Sequence, residues 1–152
     1  MVGEDSGEDR EGMNRLVRTG AGIVLLAALT ATCWWGWLAW DTEYQVDPTT
    51  GSASGPYEAW QVIGCVVCLA VLAVVAAVRL PALSVIVTMT LSFTAAWTWT
   101  AAGTDDTGLA GVGALLVFFG MACATGLVVP LVSALASRRP ASRGAATAHP
   151  NP

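Results

Sequence analysis

The chain has 152 residues, 55% of them hydrophobic and only 12% charged, where a soluble domain carries about 25% charge. Its seven basic residues are all arginine and its net charge is −4, so no basic stripe suits nucleic acid. Four uncharged stretches, at residues 19–40, 59–78, 80–104 and 107–137, account for the missing charge.

Each stretch reaches the ~20 apolar residues with which a helix crosses the ~30 Å hydrocarbon core. They predict an all-α fold, a polytopic membrane protein built as an antiparallel bundle of four transmembrane helices. The helices are expected at about residues 16–40, 58–79, 81–103 and 107–137, one membrane domain over 16–137. Residues 1–15 and 138–152 are polar enough to be expected as disordered cytoplasmic tails.

The first stretch competes with a signal peptide. It is too long for one, and it ends in Cys33-Trp34-Trp35-Gly36-Trp37 with no small-x-small cleavage site. Thr32 is not the small residue normally found before a lipidated cysteine. An uncleaved helix is expected. The following loop carries the turn signals Asp47-Pro48 and Gly55-Pro56 and is too short and polar for a core of its own.

Only Arg79, Leu80 and Pro81 separate the second and third stretches, which predicts antiparallel neighbours. Pro81 suits the first turn of a helix, where its missing N–H costs nothing. Pro130 lies inside the fourth stretch and is expected to kink it.

Charge sorting orients the bundle. Arg15 and Arg18 precede the first helix, Arg79 follows the second, and Arg138 and Arg139 follow the fourth. Cytoplasmic loops carry the arginine excess. Both termini are therefore expected in the cytoplasm, in a multi-pass protein of the plasma membrane. Asp41, Glu43, Asp47, Glu58, Asp105 and Asp106 fall on the outer side. So do all seven tryptophans, Trp34, Trp35, Trp37, Trp40, Trp60, Trp97 and Trp99, whose rings favour the membrane–water interface. Interface anchors are expected at Trp34, Trp37, Trp40, Trp60, Trp97 and Trp99 outside and at Arg18, Arg79, Arg138 and Arg139 inside. An internal echo links Thr30-Ala31-Thr32-Cys33-Trp34-Trp35 with Thr94-Ala95-Ala96-Trp97-Thr98-Trp99, read as convergence on one interface rather than duplication.

No Asp, Glu, His, Lys or Arg lies deep in any stretch, where proton-coupled transporters place one. Small four-helix multidrug exporters carry an essential glutamate in their first helix, and this first helix has none. Cys65 and Cys68 form a C-x-x-C in the second helix. At 1.5 Å per residue, Cys33 lies at the depth of Cys65, making these three the redox candidates. A four-helix membrane protein with C-x-x-C near its outer face resembles the vitamin K epoxide reductase family. This chain departs from that family in lacking its outer-loop cysteine pair, and its C-x-x-C lies inside a helix, away from the N-terminus that lowers a thiol's pKa. Cys123 is expected to serve packing.

Two hydroxyl rows run along the third helix: Ser84, Thr88 and Ser92, then Thr90, Thr94 and Thr98. Such groups bond to neighbouring helices or back to their own carbonyls; the functional alternative is a path for a small neutral solute. The fourth helix carries small residues, with Gly120 and Ala124 four apart and Gly126 beyond, expected to pack within the chain or to form a dimer face. Asp41, Asp47, Asp105 and Asp106 could form an outer rim for a cation such as calcium, although their spacing matches no known loop. His149 and Ser142 fall in the C-terminal tail; Ser142 has a loosely basic phosphosite context.

The pattern Tyr44, Asp47-Pro48, Thr50-Gly51, Ser54-Gly55-Pro56-Tyr57, Trp60-Gln61 resembles small four-helix integral membrane proteins of high-GC Gram-positive (actinobacterial) type. Proteins of that type have no assigned activity, so the resemblance implies a setting and no mechanism. The expectation is a non-enzymatic accessory or scaffold subunit without cofactor or metal. Its partners would be the lipid bilayer and either a second copy or other membrane proteins, with no nucleic acid. The alternatives are a membrane thiol oxidoreductase and a transporter or channel for a small neutral solute.

Overall fold

The computed structural model describes residues 5–40, 45–46, 53–54, 57–103 and 108–137. Four helices make up most of it: α1 (Asp5–Trp37), α2 (Ala59–Ala77), α3 (Ala82–Ala102) and α4 (Ala110–Ser137). All four are long and apolar enough to cross a membrane. The fold is all-α apart from one two-residue ladder. In it β1 (Gln45–Val46) pairs antiparallel with β2 (Ala53–Ser54), Gln45 opposite Ser54 and Val46 opposite Ala53.

The helix bounds lie close to those expected, with one correction. The first helix begins at Asp5, not near residue 16, so most of the stretch read as a tail is helical. Glu11 and Arg15 stand at i and i+4 in the order that supports a helix. The other tail, residues 138–152, lies outside the described residues, as do Arg138, Arg139, Ser142, Arg143 and His149.

Local chemistry explains how α2 to α4 start. Gln61 Oε1 accepts the Glu58 N–H at 2.7 Å, the reach-back half of a capping box before α2. Pro81 sits at the N-cap of α3 rather than in its first turn, and its carbonyl accepts the Val85 N–H at 3.1 Å. Gly108, two residues before α4, has φ +73°, a left-handed conformation that glycine adopts without a Cβ penalty. α4 then continues through Pro130 to Ser137.

Side packing corrects the expected arrangement. α1 packs on α2 and α3, and α4 packs on α3 and α2. α2 and α3, consecutive in sequence, have the thinnest contact of any touching pair of helices. The cyclic order of packing is α1–α3–α4–α2, so the short link at residues 78–81 joins helices that face each other across the bundle. A short link constrains only the ends it joins; which flanks meet is decided by side-chain shape.

Buried positions recur every four residues. They include Leu26, Thr30 and Trp34 on α1, with Leu38 just past its end; Gln61, Cys65, Leu69, Ala73 and Ala77 on α2; Val85, Met89 and Phe93 on α3; and Thr125 and Val129 on α4, with Ala76, Thr90 and Ala96 buried beside these rows. One row per helix therefore faces inward. The flanks turned outward are just as apolar, with Val24, Ile63, Val66, Leu83, Leu91, Leu115 and Leu127 all exposed. Only 11% of the most apolar window of α1 and of α4, and 28% of those of α2 and α3, is buried inside the bundle. Helices apolar all round require a surrounding that is apolar too.

Candidate functional site

The most elaborate side-chain assembly lies at the tryptophan end of the bundle. Trp34 stands at its centre, 3% exposed. Its indole meets Phe93 of α3 edge-on at 5.8 Å between centroids and Tyr57, just before α2, at 6.0 Å. Edge-to-face pairs of this kind contribute about 0.5–1.5 kcal/mol beyond burial. The indole N–H donates to Thr100 Oγ1 at 3.0 Å, and that hydroxyl donates to the Ala96 carbonyl at 3.1 Å.

Two more tryptophans fill glycine notches. The Trp37 ring lies against Gly64 of α2, and the Trp97 ring lies against Gly113 of α4; a Cβ at either glycine would collide with the ring. Trp37 also meets Trp60 edge-on at 6.1 Å, and Trp60 Nε1 donates to Glu58 Oε2. Gln61 is 1% exposed beneath this layer.

The seven tryptophans thus divide. Trp35, Trp40, Trp60 and Trp99 are exposed, as interface anchors would be, and Arg18 and Arg79 are exposed at the opposite end. Trp34 is not an anchor but a core residue, and Trp37 and Trp97 are half-buried between helices. A tryptophan beside a glycine on the next helix gains more contact by filling the notch than by facing outward. Phe93, Thr100 and Gly64 were not singled out by sequence reasoning. Glu58 and Gln61, three apart, match capping-box spacing, a signal that could have found the capping role of Gln61.

The cysteines are all free. Cys33 on α1 packs against the core cluster that contains Cys65 of α2, and Cys68 lies one helical turn beyond Cys65. Cys65 is 2% exposed, closed to an incoming thiol or disulfide, and exchange requires access to the attacked sulfur. Cys123 is exposed rather than packed within the chain: it lies on the outward flank of α4.

The hydroxyls largely serve their own helices. Ser92 donates to the Thr88 carbonyl, Thr98 to Thr94 at 2.7 Å and Thr125 to Met121 at 2.7 Å. Thr90 and Thr125 meet across α3 and α4 at 3.5 Å. Thr30 Oγ1 and Thr94 Oγ1 are buried without a hydrogen-bond partner.

The small residues of α4 also differ from the packing expectation. Gly120 and Ala124 are exposed, and a Cβ at Gly120 or Gly126 would meet nothing within 4 Å. They face away from the chain's own bundle because Thr125 and Val129 occupy the inward row of α4. The cation rim at Asp41, Asp47, Asp105 and Asp106 lies outside the described residues. Among the described residues no three His, Cys, Asp or Glu side chains converge as a metal site would.

No family model matches the chain. Neither a curated protein nor a solved structure matches it. The functional reading therefore rests on residues and geometry.

Proposed function

We propose that the protein is a non-enzymatic, multi-pass protein of the plasma membrane, an antiparallel four-helix bundle with both termini cytoplasmic. It acts as an accessory or scaffold subunit through its helix faces and the loop of residues 41–58. The observation that carries this reading is on α4, where Gly120 and Ala124 face outward beside exposed Leu116, Phe119 and Leu127. In lipid, helices associate by close packing across small residues. A small-residue row that its own bundle leaves uncovered suits a second helix, from another copy or from a partner.

The membrane setting is supported by the apolar outward flanks and by the charge sorting of the sequence. An actinobacterial envelope is the setting the first hairpin's resemblance favours. Orientation is tested by an impermeant maleimide on Ser52→Cys and Ser142→Cys in a background lacking the four native cysteines. In intact cells Ser52→Cys reacts and Ser142→Cys does not; reaction of Ser142→Cys from outside reverses the topology. The role is tested by purification in mild detergent, which should retain a stoichiometric partner or a second copy. A strictly monomeric species with measurable solute flux would replace this reading with a transporter.

A thiol oxidoreductase is the second reading, favoured by the C-x-x-C of Cys65 and Cys68 and by Cys33 packing against the core that contains Cys65. It requires Cys65 to be reached. Alkylation of the folded protein in detergent separates the two: the scaffold reading expects Cys123 to react first and Cys65 last. Rapid reaction at Cys65, with a shift in cellular thiol balance for Cys65→Ser, favours the enzyme.

A further inference from the structure

A groove of about 620 Å³ opens between α1 and α2 at the end opposite the aromatic assembly. Its rim carries three guanidinium groups, Arg15, Arg18 and Arg79, against one carboxylate, Glu11. Its floor is apolar, formed by Leu25, Leu26 and Leu29 of α1 with Leu72 and Val75 of α2. Leu25 and Val75 are largely exposed, so the floor is open to the side.

The sequence spacing builds this division. Residues 15, 18, 22, 25 and 29 lie on one flank of α1, charged for its first turn and apolar thereafter. Residues 72 and 75 of α2 and residue 79 in the turn after it do the same in the reverse order. Both strips therefore place arginine at one end and leucine or valine below it. Gly22 and Leu80 meet between them, and a Cβ at Gly22 would come within 3.0 Å of a Leu80 methyl. From Arg18 to Leu29 the helix descends about 16 Å, the hydrocarbon depth of one leaflet in a core of ~30 Å.

We propose that this groove is a binding site for an anionic glycerophospholipid of the cytoplasmic leaflet. The phosphodiester lies among Arg15, Arg18 and Arg79, and an acyl chain lies along the leucine floor. Guanidinium groups suit phosphate because they donate paired, charge-assisted hydrogen bonds. Basic pockets between helices on the cytoplasmic side hold anionic head groups in general. A soluble phosphate would use the rim but leave the floor without an occupant, and a zwitterionic lipid would leave the rim's positive charge unbalanced. The proposal rests on the membrane reading above, including its orientation for the leaflet.

The test uses the full chain in nanodiscs of phosphatidylcholine containing a minority of phosphatidylglycerol, with retained lipid read by native mass spectrometry. The expected result is enrichment of retained phosphatidylglycerol over its bulk fraction by about tenfold, equivalent to 1.4 kcal/mol. Arg79→Gln should lower it severalfold, and Arg15→Gln/Arg18→Gln/Arg79→Gln should bring it to the bulk fraction. Arg138→Gln/Arg139→Gln should leave it intact. The disc is symmetric, so altered insertion topology cannot produce the difference, and helical content measured by circular dichroism confirms that each variant is folded. No enrichment in the wild type, or full enrichment in the triple variant, overturns the site while leaving the membrane reading standing. Equal loss in the Arg138/Arg139 variant also overturns it, showing non-specific charge. Displacement of the lipid by millimolar glycerol phosphate overturns the lipid assignment in favour of a soluble phosphate. A chain that does not enter the disc overturns the membrane reading, and this proposal with it.

Discussion

Trp34 and Thr100, 66 residues apart in sequence, are joined by a hydrogen bond of 3.0 Å from the indole N–H to the threonine hydroxyl. The bond ties the end of α1 to the end of α3. It also gives a buried indole the partner that burial demands. The Thr100 hydroxyl in turn donates to the Ala96 carbonyl, so it both accepts and donates.

Substitutions at Trp34 should separate the bond from the packing. Trp34→Phe keeps most of the ring contact with Phe93 and Tyr57 and loses the N–H. It should cost about 0.5–1.5 kcal/mol. Trp34→Ala removes the ring and should cost about 3–5 kcal/mol. Reversible unfolding in mixed detergent micelles measures both. Equal losses would mean that the ring contacts contribute little.

The glycine notches predict a difference between glycines on one helix. Gly113→Ala pushes a methyl into the Trp97 ring and should destabilise by about 1–3 kcal/mol, as overpacking does. Gly111→Ala, where a Cβ meets nothing within 4 Å, should instead stabilise by about 0.5–1 kcal/mol through helix entropy. The same unfolding assay checks the sign of each. Gly64→Ala should behave like Gly113→Ala because Trp37 occupies its notch.

Thr30 is fully buried and its hydroxyl has no partner. An unmade buried hydrogen bond costs about 1–3 kcal/mol, and replacing the group with an apolar one of the same shape removes that cost. Thr30→Val should therefore leave stability unchanged or raise it. A marked loss of stability would show that the hydroxyl is bonded, for example to an internal water.

The outward row on α4 predicts a change in association without a change in fold. Gly120→Leu adds bulk where no neighbour in the chain lies within 4 Å, so helical content and unfolding midpoint should hold. Partner or self-association should fall severalfold, read by crosslinking in membranes. Unchanged crosslinking would remove this face from the scaffold reading.

What the sequence determined by itself was the apolar run of each helix, because length, uninterrupted apolarity and local breakers are properties of neighbouring residues. The four apolar stretches and the break between the second and third at Pro81 needed no tertiary information. Polarity does not separate residues 5–15 from a tail, yet they are helical, because a helix continues readily through charged residues outside the apolar core.

Tertiary structure alone decided which flank of each helix faces inward. In a soluble bundle the polar flank marks the outside, but here the outward residues, such as Val66 and Leu127, are as apolar as Leu69 and Val129 within. Periodicity of hydrophobicity therefore carries almost no signal. The inward rows are marked instead by small and weakly polar residues, Thr30, Ala73, Ala77, Thr90 and Thr125, whose meaning depends on what lies opposite. The same reason put Trp34 in the core, left Gly120 outside it, and set α2 and α3 across the bundle from each other. Composition gives a tryptophan its preference for an interface, but only a matching notch on another helix decides whether it turns away from one.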